Sequence, residues 1–195
     1  MSGPNYIISI TQEQLFAALA PWLVTLTSLP QTAVRQGDQN RAALPPPAPG
    51  GILMTIIKSR PLNTPVDGDD PTDGDPVQTN IERHYEVTVQ LDLYSGPTVG
   101  NVSGTAFDWK HMIENVWHDQ ATVTALAPVC APLYTNPALM APLDDAEAQF
   151  EQRWILEVVL QFNPVISVPQ QYANVIGPVN AVQVTPAGGF APLES

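Results

Sequence analysis

The sequence predicts an α+β domain in which helices pack on one face of a sheet, and three observations carry this. Polar and apolar residues alternate strictly from His84 to Tyr94, the two-residue period of a strand with one buried face, and a second, more apolar strand runs from Arg153 to Phe162. Stretches near Leu15 and near Ile113 instead repeat apolar residues every three or four positions, as amphipathic helices do. The chain, 195 residues and 44% hydrophobic, is long enough to bury one substantial core, with proline-rich loops and arms left over. The expected division is a domain over residues 1–165 and an extended C-terminal arm over 166–195.

Taken in order, Thr11 and Gln14 form a capping box, in which each side chain satisfies a backbone N–H of the other at the start of a helix. Leu15, Phe16, Leu19, Trp22, Leu23 and Leu26 give that helix an apolar side, while Pro21 predicts a kink or a break after Leu19. Residues 36–50 end in a proline run and read as a connector. Gly51 to Pro61 reads as a strand covered on both sides or as the first strand of a hairpin. Residues 65–79, which contain DGDDPTDGDP, read as a long acidic hairpin loop.

The next strand turns Tyr85, Val87, Val89, Leu91 and Leu93 to the core. His84, Glu86, Thr88, Gln90 and Asp92 then face water. A helix over about 105–118 follows, with Phe107, Met112, Ile113, Val116 and Trp117 as its apolar side. Ala125 to Thr135 is apolar but interrupted by Pro128 and Pro132, which confines it to a sheet edge. After the Arg153–Phe162 strand, prolines and glycines with few charges continue to the C-terminus, with a strand expected at Val179–Val184.

Composition narrows the function. Nineteen acids against 7 bases give a net charge of -12, which repels a phosphate backbone and disfavours sequence-specific DNA binding. The aspartates Asp67, Asp69, Asp70, Asp73 and Asp75 do not fit a calcium loop, because Pro71 and Thr72 fall where that loop needs its fifth and sixth residues. Cys130 is the one cysteine and reads as a small buried hydrophobe, with neither a disulfide nor a four-ligand zinc set available. His111 and His118 are seven apart on one helix, which is not chelating spacing, and His84 reads as a charge-pairing residue. No phosphate loop or nucleophile elbow is present. The expectation is a protein without catalysis, metal or other cofactor, and without a membrane span.

The order of elements resembles the neck or tail-terminator proteins of long-tailed phages, also called tail completion or head–tail joining proteins. The residues that carry it are the capped N-terminal helix, QNRAALPPPAPGGILMTII before a strand, Leu91-Asp92-Leu93-Tyr94-Ser95-Gly96 closing the next, the helix opening near Ala106, and Gln152-Arg153-Trp154 launching the last. The pattern spans roughly residues 10–165, and the acidic loop and the arm lie outside it.

The resemblance implies a mostly antiparallel sheet flanked by helices, in a subunit that assembles as a hexameric ring. Such a ring terminates the tail tube and joins it to the neck connector, with tube and sheath proteins as neighbours, and DNA passes through its lumen without specific binding. The protein would reside in the virion, after assembly in the host cytoplasm. On this reading Glu82, Glu86, Asp92 and Glu157 make the polar sheet face a negative lumen wall, and Val179, Val182 and Val184 belong to an assembly arm that docks on a neighbour. Two other readings compete. One is a tube or minor tail protein, and the other is a small-ligand or carbohydrate-binding module that uses Trp109, Trp117 or Trp154.

Overall fold

In the computed structural model, which describes residues 6–37, 50–70, 78–95, 104–141, 143–144 and 150–169, a short strand β1 (Ile7–Ile8) leads into helix α1 (Gln12–Thr27). The capping box is closed as expected: the Gln14 N–H donates to the Thr11 hydroxyl at 3.3 Å, and the Thr11 N–H donates to the Gln14 side-chain oxygen at 2.7 Å. The helix does not end near Leu19 but runs through Pro21 to Thr27. A mid-helix proline costs about 3 kcal/mol through a lost hydrogen bond and a steric clash. Leu15, Phe16, Leu19 and Leu23 are all buried on either side of it, and their packing outweighs that cost. Ser28, in the left-handed conformation at φ 58°, closes the helix by donating its N–H to the Val24 carbonyl.

Strand β2 (Val34–Gln36) follows, then β3 (Gly51–Pro61), β4 (Val66–Asp70), β5 (Gln78–Glu82) and β6 (Tyr85–Ser95). Helices α2 (Ala106–Val116) and α3 (Gln120–Leu126) precede β7 (Cys130–Thr135), β8 (Leu139–Met140), β9 (Leu143–Asp144), β10 (Phe150–Phe162) and β11 (Val165–Pro169). The larger sheet has the order β2-β3-β6-β10-β7, with β8 and β9 also paired to β10. Among the described residues only β2 and β3 run parallel, and the other pairs are antiparallel. A smaller sheet has the order β1-β11-β5-β4. The two are continuous in the chain, since only Arg83 and His84 separate β5 from β6, and only Asn163 and Pro164 separate β10 from β11.

The helices cover one face of the larger sheet. Val87, Val89, Leu91 and Leu93 of β6 stand opposite Leu160, Val158, Leu156 and Trp154 of β10. With Ile52 and Met54 of β3, and with Leu15, Phe16, Leu19 and Leu23 of α1, they form one buried cluster, against which the partly buried Trp154 packs. From α2 the cluster takes Ala106, Trp109 and Ile113, and just beyond it Trp117. This corrects the expected apolar side of that helix: Phe107 is 44% exposed, whereas Trp109 is fully buried. The buried positions 106, 109, 113 and 117 keep strict helical spacing, so the helix phase was present in the sequence but centred on the wrong aromatic.

Three further readings change. Ala125 and Leu126 belong to α3, and the edge strand starts only at Cys130. Both flanks of the acidic stretch 65–79 are strands, β4 and β5, paired in register from Val66↔Glu82 to Asp70↔Gln78. Residues 166–169, expected in the arm, are most of β11 and pair with β5 from Val165↔Glu82 to Pro169↔Gln78. Short polar strands of this kind carry little periodic signal and are fixed by the partner they find. The expected strand at Val179–Val184 and the proline-rich connector at 38–49 lie outside the described residues.

Candidate functional site

The second face of the larger sheet carries the residues expected to face water, and they do not face it bare. Glu86 and Asp92 are both 6% exposed, and Thr88 and Tyr94 are equally buried. A carboxylate so far removed from water requires a compensating charge and hydrogen bonds, and both acids have them. Arg60 grips Glu86 through two bonds of 2.7 Å, from Nε to one carboxylate oxygen and from Nη2 to the other. The Tyr134 hydroxyl donates to the same carboxylate at 3.3 Å. Arg153 donates to Asp92 at 2.8 and 3.1 Å while its guanidinium lies 5.6 Å from the centre of the Tyr94 ring, and the Gln90 amide donates to the other Asp92 oxygen at 2.9 Å.

A β-bulge brings Arg60 to this position. Ile52, Met54 and Ile56 of β3 point to the core opposite Leu93, Leu91 and Val89. Continued alternation would send Lys58 and Arg60 to the core as well. The register shifts between Ile56 and Lys58, so that Lys58 lies opposite Thr88 and Arg60 opposite Glu86, on the other face. One extra residue thus re-aims two bases toward the acids. The hydrogen bond from Arg60 holds the Glu86 carboxyl below the usual carboxylate range, against the desolvation that pushes it up.

Of the four acids expected together, the structure brings three to this face and leaves one elsewhere. Glu157 lies opposite Gln90 and accepts from the Asn136 amide at 2.7 Å. Glu82 is on β5 in the smaller sheet, half exposed, with the His84 ring 3.0 Å away. Lys58, Arg60 and Arg153 stand among Glu86, Asp92 and Glu157, so this is an ion-paired surface and not a bare acidic one. The acids were legible from their alternation. Their partners were not, because pairing depends on a bulge and on strand register that no local pattern encodes.

The other candidates resolve simply. Trp109 and Trp117 are fully buried and cannot stack on a ligand, and Trp154 sits beside Phe107 with ring centres 5.5 Å apart and the Lys110 ammonium over it. Cys130 is buried as expected, and burial pushes its thiol up to about 12. His111 lies 3.6 Å from Glu114 on the same helix. Among the described residues no group of His, Cys, Asp or Glu could hold a metal ion, and no helix is long and apolar enough to cross a membrane. Val179, Val182 and Val184 lie outside the described residues.

The described residues thus form a two-sheet α+β domain with one helix-covered face and one ion-paired face. Comparison with known families makes this particular. The chain belongs to the phage neck terminator proteins, whose family model matches residues 13–187. The match takes in the acidic hairpin and most of the C-terminal segment, both of which lie outside the residues that carry the resemblance in sequence pattern. The protein is therefore a structural component of the phage tail at its neck. Among individually curated proteins, none matches the chain.

Proposed function

We propose that copies of this chain close into a hexameric ring at the head–tail junction, which terminates the tail tube, joins it to the neck connector and leaves a lumen for DNA. The family match over residues 13–187 is the observation that supports it. Neighbours in this reading are the connector on one side and tube or sheath proteins on the other, and the site of action is the neck of the virion after assembly in the host cytoplasm.

The ion-paired face is the proposed lumen wall, with Glu86, Asp92 and Glu157 on it and Glu82 at its margin. DNA binding normally rests on Lys and Arg that replace counterions at phosphates. Here the guanidinium donors of Arg60 and Arg153 are engaged by carboxylates. Each pair offsets the charge of its base, so a phosphate gains less there than at an unpaired guanidinium. Such a wall grips a passing duplex weakly, which suits a channel through which DNA must slide. The net charge of -12 adds a general repulsion.

Mass measurement of the purified full chain tests the ring. Light scattering should give about six times the 21.0 kDa protomer, and a protomer that stays single at all concentrations would refute it.

A further inference from the structure

An apolar cleft of about 510 Å³ opens where the two sheets meet the first turn of α1. Ile8, Leu15, Ile56, Ile81, Phe162 and Ile166 line it, with Gln12, Ser59 and Arg83 as its polar lining residues. Within it Ile8 and Ile166, which share one face of the smaller sheet with Ile81, are 48% and 37% exposed. An apolar groove with exposed walls marks a place where something binds. The edge of the smaller sheet beside it is β1, Ile7–Ile8, the outermost strand in the order β1-β11-β5-β4.

The chain itself supplies a segment of matching chemistry. Between Pro169 and Glu194 it has no charged residue, although the whole chain carries 19 acids, and this stretch contains Tyr172, Val175, Ile176, Val179, Val182 and Val184. Segments that stay in solvent are typically rich in charge and poor in β-branched residues, so this composition calls for a buried destination. The family match runs on through residue 187 and so includes the stretch.

Direction favours a neighbour over the chain's own cleft. Strand β11 starts beside the cleft, at Val165 opposite Glu82, and ends at Pro169 opposite Gln78, farther along the hairpin. At about 3.3 Å per residue, the chain has moved roughly 13 Å away from the cleft when it leaves β11. To enter its own cleft, the segment after Pro169 would have to turn back over that distance.

We infer that the cleft is the receptor for the Tyr172–Val184 segment of a second copy of this chain, which adds its backbone along β1 and its valines to the apolar lining. This rests on the ring reading and names the contact that links one subunit to the next. Apolar side chains at alternate positions, such as Val182 and Val184, enter a groove from one side of an added strand.

Photo-crosslinking in the full-length protein tests it. p-Benzoylphenylalanine placed at Ile8, with ¹⁴N- and ¹⁵N-labelled copies mixed before assembly, should yield a product of twice the protomer mass in which position 8 is joined to a peptide from 172–184 of mixed isotope origin. The same probe at Phe107, exposed on α2, should not reach that peptide. Ile166→Glu should raise the concentration needed for half-assembly at least tenfold. A link formed only within one copy would overturn the inference, and so would an intact ring that shows no link to 172–184; either result leaves the ring itself standing. A chain that never assembles would instead overturn the ring.

Discussion

The two faces of the larger sheet solve the same problem with opposite means. On the face under the helices, Val89, Leu93, Leu156, Val158 and Leu160 are at most 1% exposed and pack among Trp109, Ile113 and the leucines of α1. On the other face, Glu86 and Asp92 are nearly as buried, but hydrogen bonds and ion pairs satisfy them. The first arrangement gains stability from area removed from water and tolerates small shifts of position. The second gains little net free energy but requires each partner to be in place, because a buried carboxylate without its base is costly. A two-residue alternation therefore says which residues share a face, and only the register says whether that face is wet.

The contrast can be broken most severely at the bulge. Inserting an alanine between Ile57 and Lys58 would shift the alternation of β3 by one residue, drive Lys58 and Arg60 toward the apolar cluster and strand Glu86 without its base. Unpaired buried charge costs several kcal/mol, on the order of the whole stability of a domain. The expected outcome is loss of cooperative unfolding by circular dichroism; a variant that unfolds like the parent would show that the bulge does not set the faces.

Next in size is Trp109→Ala on the helix-covered face. Removing a fully buried indole should lower stability by about 3–5 kcal/mol, measured by urea unfolding. Phe107→Ala, on the exposed side of the same helix, should cost clearly less. Equal losses would contradict the helix phase described here.

The ion-paired face should show smaller, coupled effects. Arg60 is half exposed and can rehydrate when its partner is lost, so the Arg60–Glu86 coupling in a double-mutant cycle should be favourable but well below that of a fully buried pair. Its pH dependence has a definite sign. The Glu86 carboxyl lies below its ordinary value in the folded chain, so its contribution is complete above the unfolded value of about 4.3 and fades as pH falls through the lower folded value. Glu86→Gln should flatten that acid limb in a pH series of melting temperatures; an unchanged limb would mean that other carboxylates dominate it.

The smallest expected effect is at a cap. Thr105 accepts from the Asp108 N–H at 3.4 Å, and the Asp108 carboxylate accepts from the Thr105 N–H at 2.8 Å. Thr105→Ala should cost about 1 kcal/mol in the same urea titration, with both sheet faces undisturbed.

How much of this was legible follows from which interactions are local. The capping box at Thr11 and Gln14, the bounds of β3 at Gly51 and Pro61, and the core residues of β6 all follow from patterns a few residues long, and each stands where expected. Pro21 misled because tertiary burial of Leu19 and Leu23 overrode a local preference. The smaller sheet escaped notice because β4 and β5 pair across an acidic stretch of low strand propensity, and β11 joins β5 from far along the chain. At the candidate site the acids were visible while Arg60, Arg153, Tyr134 and Asn136 were not recognised as their partners, since each contact joins strands whose alignment is a property of the whole sheet.

An electron-microscopic reconstruction of the assembled full-length protein bears most directly on the claim that this sheet encloses a passage. The account predicts a closed ring with Arg60, Glu86, Asp92 and Arg153 on the wall of its central channel. A ring that turns this face outward, with the helices toward the channel, would contradict it.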